Sequence, residues 1–274
     1  MRPLPESRGL FTPVGDHRKR AAAFSVPDLL SMVGILSLLF LIQITGFAHN
    51  KGNSHRARCA DNLRRLGLSW QMYADDNRSR LVPSPFLDTN NWVAGWLDYS
   101  GNPKNTNLDL ITQAKLFPYN NSTDIYRCPD DLSTYLGQGR IPRIRSYSMN
   151  SWLGEGATGW LPTGVFQIMT NRFQVRQPDQ TFVFIDEHPD SINDGQLIVD
   201  MLHGGATAMI IDYPASYHNL GANLGYADGG VRNHQWLDPR TTPLPSYINE
   251  QQLNVAFPND PDVAWLQSVT TYRK

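Results

Sequence analysis

The run of 20 residues from Leu29 to Ala48 constrains the fold of this chain most strongly. It contains no charged side chain, and Gln43 is its one strongly polar residue. As an α-helix, a run of about 20 residues spans roughly 30 Å, the thickness of a bilayer hydrocarbon core. A core helix of a soluble protein rarely stays apolar on every face over this length. The run therefore predicts a transmembrane helix, which we assign to residues 24–48.

The residues before this helix predict its orientation. Arg18, Lys19 and Arg20 form a basic cluster, and such clusters stay on the cytoplasmic side of a membrane. The rest of the chain would then be exported. A cleavable secretory signal ending near Ala48 is the alternative, although its apolar region would exceed the usual length of about 7–15 residues.

Composition narrows the functions that the chain can have. The formal net charge is −1 and 18% of the 274 residues are charged, so no overall electrostatic attraction favours nucleic acid as a partner. Cys59 and Cys128 have neither the number nor the spacing of a zinc site. In an oxidising compartment they can form a disulfide, and two buried thiols are the alternative.

A second helical pattern follows the apolar run. Within residues 54–76, apolar residues recur at intervals of three and four, which predicts an amphipathic helix: Cys59, Leu63, Leu66, Trp70 and Tyr73. From about residue 80, short apolar runs alternate with turn residues, as is typical of strands. Residues 223–236 predict a hairpin around Asp228-Gly229. We expect an α+β head in which an antiparallel sheet packs against the second helix.

The N-terminal segment also carries a family resemblance. AAAFSVPDLLSMVGILSLL, residues 21–39, resembles the prepilin-type leader and methylation motif of type IV pilins and type II secretion pseudopilins. The resemblance implies that prepilin peptidase cuts between Ala23 and Phe24, which makes Asp28 the acidic fifth residue of the mature chain. In this family, that acid neutralises the terminal amine of a neighbouring subunit during assembly.

Further motifs extend the resemblance to larger bacterial pseudopilin-like proteins. They are RCADNLRRLGLSWQMYADDN, YRCPDD and YHNLGANLGYADGGVRNHQW. The last contains the C-terminal signature of a His, nine residues, then Asp-Gly, here His218, Asp228 and Gly229. We expect His218 to reach Asp228 and fix the hairpin.

The resemblance implies a fold and a function. The fold is α+β: a long N-terminal helix, with a membrane-spanning lower half and an amphipathic upper half, packed on an antiparallel β-sheet head. The predicted regions are a cytoplasmic basic leader (1–23), a transmembrane helix (24–48), a stalk helix (49–79) and a periplasmic head with a C-terminal hairpin and tail (80–274). The protein would be a single-pass inner-membrane protein and not an enzyme. It would contact membrane lipid and assemble with like or related subunits into a pilus-like filament or type II secretion-type machinery.

An acidic cluster in TFVFIDEHPDSINDG, residues 181–195, supports three interpretations. Asp186, Asp190, Asn193 and Asp194 offer oxygen ligands of the kind that calcium binds, although their spacing is not that of an EF-hand. A membrane-anchored or secreted metal-dependent hydrolase or ligand-binding protein would instead use Asp186, Glu187, His188 and His218. Caps of local turns are the third interpretation, and the one we favour.

Overall fold

The computed structural model describes residues 25–84, 90–135, 140–154 and 161–274, and it describes no side chains for residues 39–53. The chain divides into two compact units, Met1–His49 and Asn50–Lys274. The predicted leader, with Ala23 and Phe24, lies outside the described residues.

The described elements are short apart from the first helix. The α-helices are α1 (Val26–Asp76), α2 (Asp109–Thr112), α3 (Phe117–Asn120) and α4 (Pro261–Ser268). Short 3-10 helices lie at Pro103–Asn105, Asp124–Tyr126, Arg172–Gln174, Gly205–Thr207 and Pro239–Thr241. The strands are β1 (Thr134–Tyr135), β2 (Ile141–Pro142), β3 (Tyr147–Asn150), β4 (Phe182–Asp186), β5 (Gln196–Leu197), β6 (Met209–Ile210), β7 (Gly221–Tyr226), β8 (Val231–Gln235) and β9 (Val255–Ala256).

A five-stranded mixed sheet organises the described part of the second unit. Its strand order is β5-β3-β4-β7-β8. The pairs β3–β4, β4–β7 and β7–β8 are antiparallel, whereas β5 runs parallel to β3. β1 pairs with β2 and β6 pairs with β9 in separate two-stranded ribbons. All residues of β3, β4 and β7 are buried, so this central part of the sheet is covered on both faces.

The stalk part of α1 belongs to the second unit and supplies one side of its core. Cys59, Leu63, Leu66 and Trp70 are at most 2% exposed, as their helical spacing predicts. They share a core cluster with residues of β3 and β4, including Phe184. The intervening arginines are exposed, which confirms that this segment is amphipathic.

The expected fold class, a long membrane-spanning N-terminal helix packed on an antiparallel sheet, is wrong. In the described part of the chain, no helix combines the length and the apolar character needed to cross a bilayer. The sheet is mixed because β5 pairs parallel to β3. The predicted transmembrane helix, membrane protein class and single-pass inner-membrane location are therefore contradicted.

Candidate metal centre

Four distant parts of the chain supply the side chains of one buried cluster. Cys59 lies on the buried face of α1, and Asp186 is the last residue of β4. Cys128 follows the 3-10 helix at Asp124–Tyr126. His218 lies just before β7, where its backbone N–H donates to the carbonyl of Gly221. We refer to Cys59, Cys128, Asp186 and His218 as the four-residue cluster.

The ligand-type atoms of this cluster lie close together. The Cys59 thiol donates to Asp186 Oδ1 over 3.0 Å, and His218 Nε2 lies 3.1 Å from Asp186 Oδ2. Cys128 Sγ lies 3.4 Å from the same His218 nitrogen. All four atoms lie within 4.8 Å of one another. The cysteines and Asp186 are 0% exposed and His218 is 3% exposed, so the cluster is sealed from solvent.

A second layer of groups fixes the orientation of the cluster. The hydroxyl of Tyr147 donates to Cys59 Sγ over 3.3 Å, and the backbone N–H of Asn223 donates to Asp186 Oδ2 over 3.0 Å. His218 Nδ1 lies 3.2 Å from Asp130 Oδ2, although it lacks the alignment of a hydrogen bond. The imidazole is thus held between two carboxylates, with Nε2 directed at the cluster.

Burial and neighbouring charges set the protonation of the cluster. Burial raises the pKa of the Cys59 thiol well above its usual range, and it also raises the pKa of Cys128. Burial acts to lower the pKa of His218, but its hydrogen bonds with Asp186 and Cys59 and the charge of Asp186 outweigh burial and raise the pKa to about 10. At neutral pH both thiols therefore keep their protons, and His218 is charged beside Asp186.

The cluster can hold protons or a small cation, and its four residues are buried. Two thiols, an imidazole nitrogen and a carboxylate oxygen are all metal-ligating groups. Cys59 and Cys128 are free buried thiols in the structure, the second of the two alternatives that the sequence left open.

The proposed calcium ligands do not share this site. Asp186 belongs to the four-residue cluster, whereas Asp190 accepts hydrogen bonds from the backbone at residues 246–247. Asn193 Oδ1 accepts from the N–H of Asp194, and Asp194 Oδ1 accepts from the backbone of the next turn. Asn193 and Asp194 thus cap local turns, as the favoured interpretation of the acidic cluster expects, whereas Asp190 fixes a distant segment of the C-terminal tail. A bound calcium ion stays an untested prediction.

The four residues that the hydrolase alternative would use likewise lie in separate places and do not form one site. Asp186 and His218 meet in the cluster, whereas Glu187 accepts a hydrogen bond from Ser191 over 2.9 Å. His188 Nε2 lies 3.1 Å from a backbone carbonyl of the C-terminal tail, and burial lowers its pKa. Burial also raises the pKa of Glu187 well above its usual range. Adjacent strand residues point to opposite faces, which explains why Asp186 and Glu187 separate.

The His-to-Asp-Gly signature has a structural explanation in the hairpin. His218 and Asp228 lie beyond opposite ends of β7, so the nine intervening residues include the strand itself. His218 reaches the four-residue cluster and not Asp228. Asp228 instead accepts from the N–H of Gly230 over 2.8 Å and pairs with Arg232 at 3.2 Å. Gly229 has φ +86, a conformation that favours glycine in this turn.

Sequence reasoning missed the cysteines as members of the site. Zinc motifs are recognised by short intervals, whereas 127 positions separate Cys59 from Asp186 and 90 separate Cys128 from His218. The available signal was the position of Cys59 on the buried helical face, which directs its thiol at the sheet. Comparisons with protein families, curated proteins and solved structures found no match, so the pseudopilin resemblance stays a prediction.

Proposed function

We propose that the protein is a structural subunit that associates with copies of itself through residues 26–38, and that it is not an enzyme. The observation that carries this proposal is the exposure of apolar side chains along the segment. Each is between 50% and 71% exposed: Val26, Leu29, Leu30, Met32, Val33, Ile35, Leu36 and Leu38. At 100° per residue these positions cover every face of the helix.

An isolated helix with this surface is unfavourable in water. Burying one Leu or Val side chain contributes about 1.5–3 kcal/mol, and patches of this kind mark interaction sites. A second copy offers an equal apolar helix, and it is the occupant to which we commit.

The N-terminal end of the segment is compatible with such packing. Asp28 Oδ2 accepts hydrogen bonds from the backbone N–H and the hydroxyl of Ser25, at 3.0 and 2.5 Å. These bonds lower the pKa of Asp28 and satisfy its carboxylate within the first turn. The resemblance to pseudopilins supports the same mode of assembly. The burial of the four-residue cluster is compatible with a role without catalysis.

The association state of the full chain tests this proposal. We expect the parent protein to self-associate in sedimentation velocity, and Leu30→Asp/Val33→Asp to shift it to the monomer by placing two charges in the contact. Leu237→Asp/Leu244→Asp is the matched control, because these residues are 75% and 91% exposed in the second unit. A monomeric parent, or a double variant that associates like the parent, would refute the proposal.

Cross-linking identifies the contact directly. A photoreactive residue in place of Leu36 is expected to capture residues 26–38 of a second copy, as mapped by mass spectrometry. The same experiment with phosphatidylglycerol vesicles separates protein from lipid as the occupant. Capture of lipid alone would contradict self-assembly through this helix.

A further inference from the structure

We propose that Cys59, Cys128, Asp186 and His218 bind one Zn²⁺ ion in a closed, structural site. The inference does not depend on the assembly function, because it rests on the second unit alone. Zinc is held in proteins by thiolate, imidazole and carboxylate ligands, usually four of them. The four-residue cluster offers two sulfurs, one nitrogen and one carboxylate. Calcium requires about 6–8 oxygen ligands, which this cluster lacks.

The geometry of the cluster is close to that of a tetrahedral site. Zn–S bonds of about 2.3 Å and Zn–N or Zn–O bonds of about 2.0–2.2 Å place ligand atoms roughly 3.3–3.8 Å apart. The separations of 3.0, 3.1 and 3.4 Å within the cluster are near this range, and none exceeds 4.8 Å. Shifts of about 1 Å bring the four atoms to zinc distance. All four residues are held by regular elements or short turns.

The surroundings of the cluster match those of a metal-binding histidine. Such a histidine presents one nitrogen to the metal and directs the other at a carboxylate or carbonyl. His218 directs Nε2 into the cluster, and its buried Nδ1 lies 3.2 Å from Asp130. Tyr147 and Asn223 contribute hydrogen bonds to Cys59 and Asp186, which orient a sulfur and a carboxylate in the same way.

A zinc ion would also offset the negative charge of these groups and bind all four of them at once. Coordination releases the two thiol protons and the Nε2 proton of His218 to solvent, and the ion then offsets the charges of two thiolates and the Asp186 carboxylate. A disulfide would join only the two cysteines and would leave Asp186 and His218 with each other. The convergence of all four side chains therefore favours an ion over a sulfur–sulfur bond. Because the protein supplies four ligands and the site is sealed, no coordination position is open to substrate.

The expected result is about one zinc per chain in protein purified under reducing conditions, by elemental mass spectrometry. Cobalt exchanged into the site is expected to give the visible absorption of tetrahedral Co²⁺ and a near-ultraviolet thiolate-to-metal band. Both readouts use the intact parent chain, so they do not depend on the folding of any variant. A parent chain that takes up neither metal would overturn the proposal.

Variants assign the ligands. Cys59→Ser, Cys128→Ser and His218→Asn are each expected to weaken zinc affinity at least tenfold. Asp194→Asn and His203→Asn are matched controls outside the cluster, and they should retain the zinc content of the parent. Zinc retained in Cys59→Ser/Cys128→Ser would show adventitious binding and refute the site. An intact mass that shows a Cys59–Cys128 disulfide, with no zinc before or after reduction, would refute it as well.

Discussion

At the scale of a single side chain, Asp186 connects helix α1 to the sheet of the second unit. Its Oδ1 accepts from the thiol of Cys59 on α1, and its Oδ2 accepts from the backbone of Asn223 on β7. The residue is 0% exposed, so these hydrogen bonds replace those that water would make. The end of β4 is therefore fixed on two sides before any ion binds.

Gly221 provides a test of how closely two strands approach beside the cluster. A Cβ at this position would lie 2.3 Å from the backbone oxygen of His234 on β8. Gly221→Ala should force the hairpin apart and lower the free energy of unfolding by about 1–3 kcal/mol, measured by urea denaturation. Gly225→Ala is the control on the same strand, because its Cβ meets no atom closer than 3.5 Å. Equal losses in the two variants would exclude the close approach as the cause.

Among the larger elements, the C-terminal hairpin was the most predictable from sequence. Residues 181–185, 222–227 and 230–234 each have a sequence pattern that predicts a strand, and they correspond to β4, β7 and β8 within one or two residues. Their apolar and β-branched residues, with the Asp228-Gly229 turn, encode the pairing locally. The parallel strand β5 has two residues, Gln196–Leu197, and its partner β3 lies far away in sequence. No local pattern specifies such a pairing.

The segment 92–97 shows why an apolar run can mislead. The run predicts a strand, but its backbone makes isolated hydrogen bonds, such as Leu97 N–H to the carbonyl of Asn193. Arg145 satisfies two further carbonyls, because its guanidinium donates to Ala94 and Gly95 over 3.1 and 2.9 Å. The side chains at 92–97 are apolar because the segment is buried. Its carbonyls accept hydrogen bonds from the distant Arg145 instead of from a neighbouring strand.

Arg145→Met tests the support of this segment. The substitution leaves the carbonyls of Ala94 and Gly95 without donors in a fully buried site, so we expect a loss of about 3 kcal/mol in unfolding free energy. Arg64→Met is the control, since this arginine is exposed on α1, and its effect should stay within about 0.5 kcal/mol. Hydrogen exchange at residues 94–97 locates the change. An Arg145 variant as stable as the control would contradict this role.

At the scale of the whole molecule, the sequence patterns predict only part of the four-residue cluster. The motifs single out His218 and the region of Asp186, because one carries a spacing signature and the other lies at a strand end. The partners Cys59 and Cys128 come from chain segments that only the tertiary fold brings together. The predicted membrane span is contradicted, because no helix in the described part of the chain has the length and apolar character of one.

The buried acids predict how global stability depends on pH. Burial and the charge of Asp194 raise the pKa of Asp212 to about 8, and burial raises the pKa of Asp194 to about 6. These values exceed those of the unfolded chain, near 4, so the folded state binds protons more tightly. Stability should therefore fall as pH rises, between about pH 4 and 6 for Asp194 and between about pH 4 and 8 for Asp212, by up to about 1.4 kcal/mol per pH unit for each group within its window.

Asp212→Asn should flatten this dependence, because the amide can still accept the hydrogen bond from Ile198 N–H without acquiring charge. Urea denaturation at several pH values measures the slope. Asp61→Asn, at an exposed acid on α1, is the control and should preserve it. Superimposable curves for Asp212→Asn and the parent would show that Asp212 does not contribute.

The wide separation of the cluster residues along the chain determines when the centre can form during synthesis. Cys59 leaves the ribosome early, but its carboxylate partner is 127 positions later and the imidazole follows still nearer the C-terminus. A nascent chain interrupted before His218 holds both thiols without the nitrogen ligand. Metal loading would thus be a late, post-translational step that distinguishes completed chains from prematurely terminated ones.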